Sequence, residues 1–208
     1  MANEKLKEQN LNHALETAFA CFLKYGVEFV TREMLSRESG ISRASLNRYW
    51  TNKTECIIQT SEWFRCHMLS AFEKDKIDDL LDGKNGLDQL RIFMEWCKTL
   101  YSYDSRIFAL YTEFKVYLHR SASDIDPMEK QLVQAMGFRP LVRKIYQKGI
   151  ADGSISLHFD IEDEIAFFGD AFFGYLANLA LQPKSDNDNS LKDIERYIDR
   201  MISLLRRK

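Results

Sequence analysis

The fold is decided by residues 30–53, which read VTREMLSRESGISRASLNRYWTNK. Thr31 carries a side-chain oxygen that can cap a short helix, and this helix ends before Gly40, where the pattern breaks. Ser42 stands at the start of another helical segment, which ends at about Trp50 ahead of a polar connection. The stretch therefore predicts a helix, a turn that contains glycine, and a second helix.

The second helix of this stretch has two different faces. Leu46 and Trp50 are four residues apart, so they lie on one side of a helix, and we expect that side to be buried. The remaining positions are Ala44, Ser45 and Arg48, which project the other way, and Asn47, which lies on the flank. The outward face is therefore small, polar and cationic.

An amphipathic helix precedes this stretch. Its apolar residues follow the i, i+3, i+4, i+7 spacing of one helix face: Leu11, Ala14, Leu15, Ala18, Phe19, Phe22 and Leu23. The helix ends at Tyr25-Gly26, because glycine readily adopts the left-handed conformation of a C-terminal cap. Together the three helices form a predicted N-terminal head.

The rest of the chain also has helical patterns. A long helix is predicted over residues 53–74, and a charged loop follows it. Further helices are predicted over residues 87–103, 105–120, 128–151, 160–181 and 190–207. Asp152-Gly153 marks a turn, and Pro183 with a polar tract separates the last two helices. The predicted fold is all-α, with about nine helices in total.

Composition agrees with a helical chain that has a full core. Of the 208 residues 45% are hydrophobic, and with 3 prolines and 9 glycines the chain has long stretches without helix breakers. The formal net charge is −2, so no overall basic field attracts nucleic acid, and any such affinity must be local.

The N-terminus and the cysteines indicate where the protein works. The chain starts with polar residues, and by composition no apolar run approaches the roughly 20 residues that span a bilayer. We therefore expect a soluble, cytoplasmic protein without membrane contact. The thiols Cys21, Cys56, Cys66 and Cys97 show no CxxC pairing. They are expected to be reduced and buried, with a redox switch as the alternative.

Residues 30–53 resemble the DNA-binding signature of the tetracycline-repressor (TetR) family. A Thr opens the first helix, a Gly-hydrophobic-Ser turn follows, and small residues, Leu, polar or basic residues, an aromatic residue and Lys come in the same order. The resemblance covers about residues 6–58, and the layout of residues 149–181 is similar to the family's C-terminal part. It implies a helix-turn-helix DNA-binding domain at residues 1–52 and a helical ligand-sensing and dimerisation domain at residues 53–208.

Two residues depart from the family's pattern. Asn47 stands where members usually have a Tyr that commonly contacts a phosphate. An amide there either makes the paired contact to adenine N6 and N7 or contacts nothing. Trp50 replaces the usual Phe and preserves an aromatic anchor.

The resemblance implies which residues contact DNA. A recognition helix lies in the major groove, where short side chains let the backbone approach and donors reach the base edges. The base-reading set is Ala44, Ser45, Asn47 and Arg48, and the phosphate-contacting set is Thr31, Ser42, Arg43, Tyr49 and Lys53. Taken singly, each residue also fits a cap, a surface charge or a core side chain. Their joint spacing favours double-stranded DNA as the partner.

A symmetric homodimer is predicted, because two heads double the phosphate contacts and read a palindrome-like operator. The helix over residues 160–181 is apolar on more than one side, and the last helix has an apolar stripe. The predicted interface residues are Phe168, Phe172, Tyr175, Leu176, Leu179, Ile198 and Ile202. The alternative is that both helices close the core of the monomer.

Large aromatic side chains are frequent in the middle helices. Rings with polar edges suit a pocket for an apolar or aromatic small molecule. The predicted effector-binding residues are Trp63, Trp96, Tyr101, Phe108, Tyr111 and Phe114, each of which also fits ordinary core packing. The family resemblance implies that the effector shifts the fourth helix, changes the separation of the two heads and releases a repressor from DNA.

No enzymatic activity, cofactor or metal is predicted. None of His13, His67, His119 and His158 has the Glu three residues earlier that a di-iron helical bundle uses. The chain also lacks a GxSxG elbow, a phosphate-binding loop that ends in Lys-Ser/Thr and an HExxH motif. The alternatives are a helical partner-binding protein that has lost specific DNA binding and a helical enzyme with an unrecognised site.

Overall fold

The computed structural model describes residues 2–74, 81–121, 138–182 and 189–206. Within these ranges the chain forms nine helices: α1 (Ala2–Tyr25), α2 (Arg32–Ser39), α3 (Arg43–Tyr49), α4 (Lys53–Lys74), α5 (Gly86–Tyr103), α6 (Arg106–Ser121), α7 (Arg139–Ala151), α8 (Ile161–Leu181) and α9 (Ser190–Leu205). In the same ranges the extended pairing is limited to an isolated bridge between Ile155 and Arg206. The predicted all-α class is confirmed.

Most predicted helix ends agree with the structure to within one or two residues. The N-terminal helix is the exception, because α1 already begins at Ala2. Its first residues are mainly Lys, Glu, Gln and Leu, which favour a helix without forming an apolar stripe. The predicted helix over residues 128–151 is seen from Arg139 onward, and residues 128–137 lie outside the described part. The polar tract at 183–188 and residue 207 also lie outside it.

The chain divides into two compact units. The first contains the described residues of Met1–Ala71 and Leu110–Gly137, and the second contains those of Phe72–Ala109 and Phe138–Lys208. Helix α6 therefore contributes residues to both units. The division into functional domains at residues 1–52 and 53–208 rests on roles rather than packing, and it stays a prediction.

The first unit has its own core around the three N-terminal helices. Phe22 of α1, Trp50 after α3 and Phe114 of α6 are each 1% exposed. Phe22 and Phe114 meet edge to face, with ring centroids 5.5 Å apart. This arrangement is favourable for aromatic pairs. The unit therefore joins the predicted head to the start of α4 and the C-terminal part of α6.

In the second unit α5 crosses α7 at a point where only glycine fits. A Cβ atom added to Gly86 would lie 2.1 Å from the backbone nitrogen of Gly149, which is far inside van der Waals contact. The first amides of α5 are capped from the turn after α7. Gly86 N–H donates to Asp152 Oδ2 (2.8 Å), and Leu87 N–H donates to Ser154 Oγ (3.1 Å). The predicted Asp152-Gly153 turn thus holds the N-terminus of α5.

Helix α8 has the largest share of apolar side chains in this unit. Its 21 residues, with a mean hydropathy of 1.2 over the most apolar 18, would suffice for a membrane span, so the expectation that no segment approaches this limit was wrong. The feature is weak evidence for a membrane, because Phe168, Phe172 and Leu176 pack inside the second unit with Ile198 of α9. Only 33% of its most apolar 18-residue window is buried, however, so much of this helix faces outward.

Three of the four thiols are buried as expected, and one is not. Cys21, Cys56 and Cys97 are buried, whereas Cys66 on α4 is exposed, which corrects the prediction for that residue. Burial raises the pKa of Cys56 to about 12 and also raises the pKa of Cys97. These thiols are protonated at neutral pH and are therefore poor nucleophiles.

We expect Phe172→Ala to lower the free energy of unfolding by about 3–5 kcal/mol, because Phe172 is fully buried and its removal leaves a cavity. Phe159→Ala is the matched control, since Phe159 is 74% exposed in the same unit, and it should change stability by about 0.5 kcal/mol or less. Urea unfolding followed by circular dichroism measures both. Equal losses in the two variants would contradict the placement of Phe172 in the core.

Candidate DNA-binding site

The helix-turn-helix is shaped by side-chain caps at both helix starts. Thr31 Oγ1 accepts from Met34 N–H (3.2 Å) at the start of α2, and Ser42 Oγ accepts from Ser45 N–H (3.2 Å) at the start of α3. Both bonds satisfy amides that have no partner within their own helix. Gly40 lies between the helices with φ +69°, a left-handed conformation that favours glycine. The caps and the turn predicted from the sequence are confirmed.

The turn itself is held by further hydrogen bonds. Ser36 Oγ donates to Ile41 O (2.7 Å), and Ile41 N–H donates to Ser39 Oγ (3.1 Å). His13 Nε2 of α1 lies 3.1 Å from Ser39 O, which links the first helix to the end of α2. The angle between α2 and α3 is thus fixed by polar contacts on top of the core packing.

Trp50 anchors the C-terminal end of α3. Leu46 and Trp50 are each 1% exposed, so the buried face predicted from their spacing is confirmed. The Trp50 indole N–H donates to Gln59 Oε1 of α4 (3.1 Å), which satisfies its polar edge inside the core. Its backbone N–H donates to Leu46 O (2.9 Å) and closes the helix. The opposite face of α3 must therefore point outward.

The structure brings the predicted DNA-contacting residues together in the first unit. Six are exposed: Thr31, Ser42, Arg43, Ala44, Asn47 and Arg48. Three are half-buried: Ser45, Tyr49 and Lys53. Of the exposed members of α3, Ala44 and Arg48 lie opposite Leu46 and Asn47 lies on the flank, as the helical spacing requires.

The basic residues of this surface already have partners inside the head. Arg43 Nη1 donates to Glu33 Oε1 of α2 (2.8 Å), and this contact holds the pKa of Glu33 below its usual value. Arg48 Nη2 donates to Ser45 Oγ one turn earlier (3.0 Å). Both arginines are well exposed, so these contacts are weak and exchangeable.

Lys53 lies beside the loop between α1 and α2. Its Nζ donates to Glu28 O (2.9 Å) and sits 5.1 Å from the centre of the Tyr117 ring of α6. Partial burial lowers the pKa of Lys53. The same loop is held by Glu113 of α6, whose Oε2 accepts from Val27 N–H (2.9 Å). The C-terminal part of α6 and the start of α4 therefore fix one loop of the head.

Sequence reasoning missed Arg32, the first residue of α2. Its guanidinium donates to Asn47 Oδ1 through Nη1 and to Trp50 O through Nη2 (3.0 Å). Arg32 thus joins the flank of α3 to the carbonyl of Trp50, the residue that follows the helix. The signal available in the sequence was a cation in the first turn of a helix, where the helix dipole disfavours positive charge.

The six predicted effector-binding residues do not all belong to one unit. Trp63, Tyr111 and Phe114 belong to the first unit, and Trp96, Tyr101 and Phe108 belong to the second. Phe114, Tyr101 and Phe108 are buried, whereas the other three are half-buried. The Trp63 indole N–H is buried without an acceptor among the described residues. Whether these residues share a pocket stays a prediction.

The second unit has an open cavity of about 490 Å³. It is lined by Leu81, Asp82, Gln89, Leu141, Lys144, Ile145 and Lys148. None of the six predicted aromatic residues lines it, so this cavity was not foreseen from the sequence.

Most of the predicted dimer-interface residues lie in the core of the single chain. Phe168, Phe172, Leu176, Ile198 and Ile202 are at most 3% exposed, whereas Tyr175 and Leu179 are half-buried. The five buried residues have no surface to offer a partner, which corrects their assignment. They pack instead against α5, α7 or each other, because an apolar face closes first on its own chain.

A buried anchor, a glycine turn and an exposed cationic helix are the features of a helix-turn-helix head. Residues 14–60 match the family model described as bacterial regulatory proteins, tetR family. The head of the chain is therefore similar to the DNA-binding part of that family. No curated protein matches the chain.

Solved structures of regulators have a similar fold. The structure of a TetR-family transcriptional regulator from Agrobacterium tumefaciens has a TM-score of 0.71 at 12% identity, over 97% of this chain and 100% of that one. The fatty acid degradation regulator FadR from Bacillus halodurans has a TM-score of 0.68 at 12% identity, over 91% and 96%. Thermus thermophilus FadR, a repressor solved with lauroyl-CoA, has a TM-score of 0.66 at 14% identity, over 95% and 96%.

We expect Glu33→Gln to strengthen DNA binding about two- to fivefold on specific and random duplexes alike, because it releases the Arg43 guanidinium for a phosphate. Glu38→Gln is the matched control, since Glu38 pairs with Arg37 on the same helix. Fluorescence anisotropy at fixed salt measures both variants. Unchanged affinity in Glu33→Gln would show that the ion pair does not compete with DNA.

Proposed function

We propose that this protein is a ligand-responsive transcriptional repressor that binds a palindrome-like operator as a homodimer. The observation that carries the proposal is the outward face of α3, which presents Ala44, Asn47 and Arg48 while Trp50 is held in the core. A rigid helix with short side chains and exposed donors suits the major groove. The work of such a regulator is done in the cytoplasm.

Affinity for DNA in this proposal comes from local charge and from duplication. The net charge of −2 provides no general attraction to phosphates. Each head offers Arg43 and Lys53 with the hydroxyls of Thr31, Ser42 and Tyr49 as phosphate donors. A dimer doubles this set, and its symmetry demands two half-sites at a fixed spacing.

The outward stripe of α8 supports the dimer. Phe167 and Leu181 are 62% and 61% exposed, and Gly174 lies between them on the same side of the helix. A Cβ atom at Gly174 would meet nothing within 4 Å, so a partner helix has room for close approach there. Asp170 and Asn178 are exposed on the same face, so the apolar surface is confined to these positions, and exposed apolar side chains favour association. We therefore assign the interface to this stripe rather than to the buried residues.

The proposed effector is a small apolar or aromatic molecule. The aromatic residues of the middle helices provide apolar surface, and the unpaired indole N–H of Trp63 would be satisfied by an acceptor on a ligand. Thermus thermophilus FadR was solved with lauroyl-CoA, so acyl-CoA thioesters are reasonable first compounds to test here. Such an effector releases DNA only through its different affinity for the two states of the protein.

We expect Arg48→Ala and Asn47→Ala each to lower the selectivity between operator and random DNA by about 1–3 kcal/mol, because both remove donors that reach base edges. Lys53→Ala should weaken binding to both duplexes alike, since phosphates are the same in every sequence. The operator is obtained first, by selecting bound fragments from the native genome, and affinities then follow from titration at several salt concentrations.

Arg106→Ala is the control for these variants, because Arg106 is exposed at the start of α6 and pairs with Asp104 outside the head. It should leave both affinities unchanged. If the wild-type protein selects no sequence at low salt without effector, the regulator proposal fails. If Asn47→Ala loses equal affinity for operator and random DNA, only base reading by Asn47 is contradicted and the rest of the proposal stands.

We expect Phe167→Asp to weaken the dimer by about 2 kcal/mol or more, roughly a 30-fold rise in its Kd, because it places a charge in an apolar interface. Phe159→Asp is the matched control, since Phe159 is also largely exposed but lies outside α8. Sedimentation at several concentrations measures the assembly. A wild-type protein that stays monomeric at every concentration would refute the dimer, and an unchanged Phe167→Asp dimer would place its interface elsewhere.

A further inference from the structure

The contact between Arg32 and Asn47 constrains what the recognition helix offers to a base. Arg32 is half-buried at the start of α2, whereas Asn47 is exposed on α3. One nitrogen of the guanidinium donates to Asn47 Oδ1, and the other donates to Trp50 O (3.0 Å). Trp50 is 1% exposed, so the position of its carbonyl group is fixed by the core. Arg32 is thus held through one guanidinium nitrogen and orients Asn47 through the other.

The chemistry of the pair fixes which way the amide faces. A guanidinium carries donors only, so the group of Asn47 that faces it must be the carbonyl oxygen. The amide nitrogen of Asn47 then takes the other position, and no described residue accepts a hydrogen bond from it. Asn47 therefore offers two N–H donors to the outside, while its oxygen is turned toward Arg32.

Adenine and guanine differ in how well their hydrogen-bonding groups match such a side chain. Adenine is bound by an amide in paired fashion, with its N6 amino group donating to the amide oxygen and its N7 accepting from the amide nitrogen. Guanine has acceptors at both N7 and O6 and no donor on that edge. A side chain that presents only donors matches guanine. The paired contact to adenine requires the oxygen and the nitrogen of the amide to face the base together, whereas Arg32 turns the oxygen toward itself.

We propose that Arg32 is a positioning residue that makes Asn47 a reader of guanine rather than of adenine. This inference rests on the proposed function, because it concerns the base that the DNA-binding head selects. Arg32 acts through Asn47 and not by touching the base. The two residues are 15 positions apart in the chain and meet because α2 and α3 are fixed at Trp50.

The test is selection from a randomised duplex library by the full-length protein. The base pair read by Asn47 is the one whose preference Asn47→Ala removes. We expect the wild type to prefer G·C over A·T there by about tenfold. Arg32→Met keeps the aliphatic stem but removes the donors, so it should shift the preference at this pair toward A·T and leave the other positions unchanged.

Asn47→Asp provides a second variant in which the Arg32 contact is kept. One carboxylate oxygen faces Arg32 and the other faces outward as an acceptor, which matches the N4 amino group of cytosine. The selected pair should therefore reverse, with cytosine where guanine stood. Because Asn47 is exposed, this variant should fold even if Arg32→Met is unstable. Arg37→Met, another arginine of α2, is the control and should keep the wild-type preference.

The outcomes separate the two proposals. If the wild type enriches no sequence, the regulator proposal fails and this inference falls with it. If the wild type is selective but prefers A·T at the Asn47 position, or if Asn47→Ala changes no position, only the role of Arg32 is overturned. A preference for G·C that Arg32→Met leaves unchanged also overturns it, because the amide would then be oriented without Arg32.

Discussion

The head of this protein depends on the burial of Trp50 directly after the recognition helix. Its ring fills the core of the first unit, its indole N–H bonds to Gln59 of α4, and its carbonyl accepts from Arg32 of α2. One residue thus ties three helices together. Because α3 is only seven residues long, fixing its last turn also fixes its rotation. The outward direction of Asn47 and Arg48 is a consequence of this anchor.

The cationic groups near α3 are engaged within the protein before DNA arrives. Arg43 pairs with Glu33, Arg48 bonds to Ser45, and Lys53 bonds to the carbonyl of Glu28. Binding DNA exchanges these contacts for phosphate or base contacts, so the net gain for each group is smaller than its charge suggests. Because the net charge of −2 adds no general attraction to phosphates, the proposed dimer would gain affinity by doubling these local contacts.

Helix α8 shows what the spacing of apolar residues can and cannot predict. The pattern of residues 160–181 predicted α8 and its cap at Asp160 correctly, and it also indicated that more than one side is apolar. It did not say which side faces the chain's own core. Phe168 packs beside Tyr146 of α7 and Phe172 stacks on Tyr197 of α9, whereas Phe167 is exposed. Neighbouring phenylalanines differ in this way because a helix turns by about 100° per residue.

By itself the sequence determined the local features of the head. The caps at Thr31 and Ser42, the turn at Gly40 and the buried face of Leu46 and Trp50 all follow from short-range chemistry, in which a residue type and its spacing dictate the backbone. Only the tertiary structure decided the contacts between residues distant in the chain. Arg32 meets Asn47, Glu113 meets Val27, and Gly86 meets Gly149 because helices pack, and no helical period encodes which side chains then become neighbours.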